Sequence, residues 1–298
     1  MIHVATVHWK SDKWIDIQLR YLHRHLPPPF RVYAFLNDVP EHHRQKFYYT
    51  SIEPIVEHAI KLNILADLIG FSADHDDDLL VFIDGDAFPI ADLAPFISSP
   101  VLKSRRLAAI QRSENGGDIA PHPSFCITTV GLWRRIKGDW KAGYRWRNSN
   151  GDLVSDVGGN LLEILERHHV DWHPMLRSSR SDRHPLLGGI YDDLVYHHGN
   201  GFYQGTGRGL KARVQSEAKA SFRGRLLDLL PNSGVGLRMK RRFHPIYAAT
   251  ERLRRENAAL NDALFERLVN DDSFFRTLLQ TDVRAPAPAD GPAERRAG

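Results

Sequence analysis

The stretch LLVFIDGDAFPI, residues 79–90, runs five apolar residues into two aspartates separated by one glycine. Alternate residues where a strand frays can turn two carboxylates, those of Asp84 and Asp86, onto one hard cation. Oxygen donors of this kind favour magnesium, manganese or calcium over softer metals. An ion held by one or two carboxylates keeps positions open for water and phosphate oxygens, and can offset charge building on a departing diphosphate. Gly85 lets a ligand approach the backbone between the two acids. A solvated Asp-Gly turn is the competing reading. The loop before the strand already carries Asp74, Asp76, Asp77 and Asp78 for solubility.

The elements that must position this pair follow from the apolar pattern. Residues 2–8 read as a first strand. Ser11 or Asp12 can cap a helix carrying Trp14, Ile17, Leu19 and Leu22, which the prolines at 27–29 stop. Residues 30–37 form a second strand closed by an Asn-Asp turn. A helix over 54–70 puts Ile55, Ala59, Leu62, Ala66 and Ile69 on one face and ends at Gly70. The run Leu79–Ile83 lacks alternation, as a central strand covered on both faces does. This rhythm predicts an α/β fold with a mostly parallel central sheet flanked by helices. Ligands of such sheets gather beyond the carboxyl ends of the strands, where Asp84 and Asp86 sit. Further strands are expected at 106–111, 123–133 and 194–201, and a helix after Asp156.

Composition bounds the alternatives. The chain has 298 residues, 42% hydrophobic and 26% charged, an ordinary soluble globular balance. No uncharged apolar run approaches the length of a membrane span, and no secretory signal is visible. Cys126 is the single cysteine, so an internal disulfide and zinc sites built on paired cysteines are excluded; a cytoplasmic protein is expected. The net charge is only +4, yet residues 208–242 hold ten Lys/Arg against Glu217 and Asp228. That patch is either a solvated face or a contact with an anionic membrane or lipid phosphate. Nucleic acid is disfavoured, because no zinc finger or RNP pattern accompanies the charge. The expected organisation is a catalytic domain at 1–207, a basic helical extension at 208–282 and a disordered tail at 283–298. Leu253, Leu260, Leu264 and Leu268 recur at helical spacing, but too briefly to establish a coiled coil.

The order of apolar strand, Asp-x-Asp, Phe-Pro-Ile and following helix resembles the DxD region of GT-A (Rossmann-like) glycosyltransferases over roughly residues 1–205. The resemblance implies transfer of a sugar from a UDP- or GDP-linked donor to a saccharide, glycolipid or other hydroxyl acceptor, with Mn2+ or Mg2+. It implies that Asp86 ligates the metal and that Asp84 faces the ribose and metal. The glycogenin-like branch completes such a site with a late-strand histidine in an H-x-x-G setting. Here VYHHGNGF offers His198, with Gly201 three residues on. Strand alternation lets only one of His197 and His198 reach the metal, and His198 is the expected ligand. No Lys-Pro-Trp follows, which leaves Arg208 and Lys211 as candidate diphosphate partners.

By the same resemblance the donor base lies near Thr6, His8 and Trp9, with Lys61 and Asn63 reaching the nucleotide from the next helix. Asp156 is the expected acceptor-side acid, orienting the hydroxyl and serving as base if the reaction inverts; an ordinary helix cap explains it equally. Residues 111–118 and the aromatic stretch 140–146 are expected to line the acceptor groove. His122, His173 and His184 read as loop residues without a role. Two rivals remain. A haloacid-dehalogenase-type phosphatase also ends a strand in D-x-D, but on its first strand, and with Thr or Val where this chain has Phe88. A non-catalytic carbohydrate- or cation-binding protein would need further oxygen ligands, which Ala87, Phe88 and Pro89 do not supply.

Overall fold

The computed structural model describes residues 1–179, 187–199, 216 and 221–279. Its main sheet has seven strands: β1 (Ile2–Trp9), β2 (Phe30–Asn37), β3 (Tyr49–Ser51), β4 (Leu79–Asp84), β6 (Leu107–Gln111), β7 (Pro121–Thr129) and β10 (His173–Met175). They lie in the order β10-β6-β7-β4-β1-β2-β3. β7 runs against both its neighbours, and every other pairing is parallel. The expected mostly parallel α/β sheet flanked by helices, with a C-terminal helical extension, is the observed fold. A small second sheet joins β5 (Ala87–Pro89), β11 (Gly189–Tyr191) and β12 (Val195–His197), all antiparallel. β8 (Trp146–Arg147) and β9 (Leu153–Val154) form a short hairpin.

Helices cover the sheet on both sides. Ala5, Val7, Leu80 and Phe82 face α2 (His58–Ser72), α5 (Val130–Ile136) and α6 (Gly159–Arg167). Val4, Val81 and Ile83 face α1 (Ile15–His25) and α4 (Pro100–Arg105), with α3 (Ala94–Ile97) beside them. β4 is therefore buried on both faces, which its unbroken apolar run requires. Among the described residues α7 (Phe222–Asp228), α8 (Gly234–Phe243) and α9 (Pro245–Asn270) follow. The end of α9 and the turn at Phe274–Leu278 share a core with α1 and the small sheet, through Leu264, Leu268, Trp14, Tyr21 and Tyr196.

Boundaries differ from expectation in three places. α2 starts at His58 rather than 54 and continues through Gly70 to Ser72. The strand expected at 123–133 stops at Thr129, whose side chain accepts a hydrogen bond from Leu132 N–H and starts α5. The last strand is only Val195–His197. Gly201, Arg208, Lys211, His184, the tail at 283–298 and the boundary at 207–208 lie outside the described residues. Among those described, no helix is long and apolar enough to cross a membrane.

Candidate active site

Strand parity sorts the residues at the end of β1. Odd-numbered Ala5 and Val7 face α2, and even-numbered Val4 faces α1. Thr6 and His8 therefore point toward α1, where both bond to Gln18, and away from the side where the nucleotide was expected. Gln18 is fully buried and uses its whole amide. Its Oε1 accepts from Thr6 Oγ1 and His8 Nε2, each at 3.1 Å. Its Nε2 donates to the Asp84 carbonyl at 2.7 Å and the Ala87 carbonyl at 2.8 Å. Thr6 and His8 thus act through Gln18 to fix the turn that carries Gly85 and Asp86. Burial pushes the His8 pKa down to about 4 against the pull of its Gln18 hydrogen bond, so the ring stays neutral.

Asp84 ends β4, Gly85 is buried in the turn, and Asp86 precedes β5. β12 pairs with β5 so that His197 lies opposite Ala87. This register brings His197 Nε2 to 3.6 Å from Asp84 Oδ2 and 3.5 Å from Asp86 Oδ1. One ligand atom from each of Asp84, Asp86 and His197 lies within 4.8 Å of the others. The histidine expected here, His198, faces the other way. Its ring lies 4.3 Å from that of Trp14, its Nδ1 accepts from the Tyr196 hydroxyl at 2.9 Å, and its Nε2 donates to Asn261 Oδ1. With both ring nitrogens engaged and burial lowering its pKa to about 4, His198 is a core residue and His197 replaces it beside the acids. Burial opposes protonation of His197, but the charges of Asp86 and Asp84 outweigh it and raise its pKa.

Two observations show that a divalent cation fits. The donor set is two carboxylates and an imidazole, which suits manganese and neighbouring first-row ions and is acceptable to magnesium through its oxygens. Moreover, Asp84 Oδ1 and His58 Nε2 lie 2.9 Å apart, yet both are buried without a hydrogen bond. His58 was not anticipated. It opens α2 three residues before Lys61, so both side chains lie on one helical face directed at the site.

Lys61 is almost wholly buried, with Nζ 5.3 Å from the centre of the Trp9 ring. Burial lowers its pKa, and the charge of Asp38 opposes that shift. Trp9 has the odd parity of Ala5 and Val7, and the fold brings it beside Lys61. Beside them lies an open cleft of about 500 Å3 lined by Trp9, Lys10, Asn37, Asp38, Val39 and Ile55, among others. Asn37 and Asp38 had been legible only as a turn. Asn63 stands elsewhere. Its Nδ2 donates to Asp139 Oδ1 at 2.6 Å, and its Oδ1 accepts from Trp140 N–H at 3.0 Å. It staples α2 to the loop before α6 instead of reaching the cleft.

Asp156 lies 3.8 Å from Arg112, whose charge acts on His197 and His122. Asp156 is not the helix cap: α6 begins at Gly159 with Gly158 as its N-cap, and Asp156 Oδ1 accepts from Val157 N–H. His122, read as a loop residue, lies in β7 with its ring 6.3 Å from that of His197. Burial, then Arg112 and His197, push its pKa well below the usual value. The aromatic stretch does not line a groove as expected. Trp140 packs on Phe82 and Trp133, Trp146 packs in a core with Ala120 and Leu162, and Tyr144 donates to Glu166. His173 bonds to Asp192 and lies away from the site.

No protein-family model and no curated protein matches the chain. Among solved structures, matches of low similarity include glycosyltransferases. Residues 1–349 of S. aureus TarS in complex with UDP-GlcNAc align over 93% of this chain and 90% of that one, at 12% identity and a TM-score of 0.40. The mannosyltransferase PcManGT from Pyrobaculum calidifontis, in complex with GDP-Man and Mn2+, aligns over 93% and 82%, at 10% identity and a TM-score of 0.40. A further S. aureus TarS structure aligns over 47% of this chain at 14% identity and a TM-score of 0.35, and this chain spans only 30% of its length.

Proposed function

We propose that this chain is a glycosyltransferase that moves a sugar from a nucleoside-diphosphate sugar to a hydroxyl acceptor with the help of Mn2+ or Mg2+. The observation that carries the reading is the meeting of Asp84, Asp86 and His197 at the carboxyl end of β4. From there His58 and Lys61 of α2 lead to the cleft beside Trp9. A bound divalent ion supplies positive charge that offsets the charge of the departing diphosphate.

This chain's own residues do the rest. Asp84, Asp86 and His197 would hold the ion, and Gln18 fixes the backbone that presents the two acids. Trp9 offers a ring face to the donor base, beside Asn37 and Asp38. Lys61 carries its ammonium from a buried position toward the phosphate or ribose. Asp156 accepts a hydrogen bond from the acceptor hydroxyl and takes its proton where the reaction inverts. Arg112 stands next to it as a second polar group for the acceptor, a saccharide or lipid-linked sugar.

Titration calorimetry tests this directly. UDP or GDP is expected to bind in the presence of Mn2+, to lose most of its affinity without the metal, and to be unaffected by replacement of His198. Silence from both nucleotides with Mn2+ present would sink the proposal. Metal-independent phosphate release, or binding of a free sugar without nucleotide, would favour the phosphatase or the carbohydrate-binding protein instead.

A further inference from the structure

We propose that α7 and α8 form a surface that docks on an anionic phospholipid bilayer, their apolar side chains entering the boundary between headgroups and acyl chains. The inference goes beyond the transfer reaction and stands on a separate part of the molecule. Phe222, Leu226 and Leu229 recur at helical spacing along α7 and just past its end. Val235, Met239 and Phe243 do so along α8. In a helix packed on a domain such a stripe faces the core. Here it faces solvent: Phe222 is 83% exposed, Leu229 82% and Val235 72%, and the other three are also exposed. Gly224 and Gly236 are buried in its place.

The charge around the stripes selects what covers them. Arg223, Arg225, Arg238, Arg241 and Arg242 are all exposed, and none pairs with a carboxylate among the described residues. The single acid of α7 and α8, Asp228, lies 3.4 Å from His244, and Lys240 is buried against the Asp228 carbonyl and Asn232. Large apolar side chains interleaved with unpaired arginines match the interfacial helices that lie in the plane of an anionic bilayer. Each basic residue near such a surface adds attraction, and the apolar side chains add burial. A second copy of the chain would bring five more arginines to the same face and repel. Among the described residues, the main packing partners of these helices are each other and α9.

Co-sedimentation with lipid vesicles decides the matter without donor, metal or acceptor, so its failure leaves the transferase reading standing. The full chain is expected to partition onto vesicles of phosphatidylcholine mixed with phosphatidylglycerol and not onto phosphatidylcholine alone. Phe222→Ser, Leu226→Ser and Leu229→Ser together should weaken partitioning by on the order of tenfold or more. Arg238→Gln, Arg241→Gln and Arg242→Gln together should weaken it by on the order of a hundredfold. All six side chains are exposed, and unchanged thermal melting shows that both variants fold. Absence of binding to the mixed vesicles, or wild-type partitioning by the serine variant, overturns the proposal. A dimer in sedimentation velocity that the serine variant lacks would assign the face to a second copy. Equal affinity for soluble polyglutamate would assign it to an acidic partner. Either result also overturns it.

Discussion

The end of the main sheet and the α7–α8 pair depart from the usual partition of side chains in opposite directions. At the sheet end, Gln18, Lys61, Asp86, His8 and His197 are buried among apolar neighbours. On α7 and α8, Phe222, Leu226, Leu229 and Val235 stand in water among arginines. A buried charge and an exposed apolar patch are the two informative exceptions to ordinary burial. On the proposals above, each would mark a surface completed by a partner: in one place a small charged ligand, in the other a lipid surface. The two sites therefore should fail independently, and in different measurements.

The contrast is sharpest for Asp86→Ala. Loss of this carboxylate should lower transfer by on the order of a thousandfold while the melting temperature holds or rises, since one of two neighbouring acids is removed. A matching loss of fold would place Asp86 in the structural core and break the comparison. Next in size is a paired deletion of the same aromatic ring. Phe82→Ala, inside β4, should cost about 3–5 kcal/mol in denaturant unfolding. Phe222→Ala on α7 should stay within about 0.5 kcal/mol. Equal costs would mean that α7 packs as a core element does.

The buried imidazoles predict a pH dependence. His8 is neutral in the fold, with a pKa of about 4 against 6.5 when exposed. Below pH 6.5 the unfolded chain takes up a proton that the folded one refuses, so stability should decline from there until pH falls to about 4. The loss reaches roughly 3 kcal/mol, and His8→Gln should flatten the decline in unfolding midpoints. The smallest effect separates two adjacent residues. His197→Ala should weaken Mn2+ binding by roughly tenfold to a hundredfold and leave the melting temperature nearly unchanged. His198→Ala should do the reverse, because it strips partners from Tyr196 and Asn261. Manganese titration followed by electron paramagnetic resonance separates the two.

Much of the fold could be read from pattern, because β4 carries an apolar run that only a doubly covered strand explains. The acidic pair was legible for the same reason: it ends such a run. The histidine partner was not. Adjacent His197 and His198 have identical chemistry, and only the pairing of β12 with β5, across more than a hundred residues, decides which one faces the turn. Parity within β1 was available and would have separated Trp9 from Thr6 and His8 once Val4 and Val7 were assigned their sides. Gln18, the polar exception on the buried face of α1, was likewise visible. Asn63 misled because a polar residue on a buried helix looks the same whether it meets a ligand or, as here, Asp139. The aromatic stretch misled because composition carries no direction.

α9 runs through 26 residues without a break, and its two ends report to different places. Asn261 touches the His198 ring, whereas Pro245 follows directly on α8. At 1.5 Å per residue the stretch from Ile246 to Asn261 is about 22 Å long, a rigid spacer built into one continuous rod. On the two proposals above, one uninterrupted helix would join the lipid-docking pair to the core residues behind the acidic site, so a kink between Ile246 and Asn261 would disturb both at once.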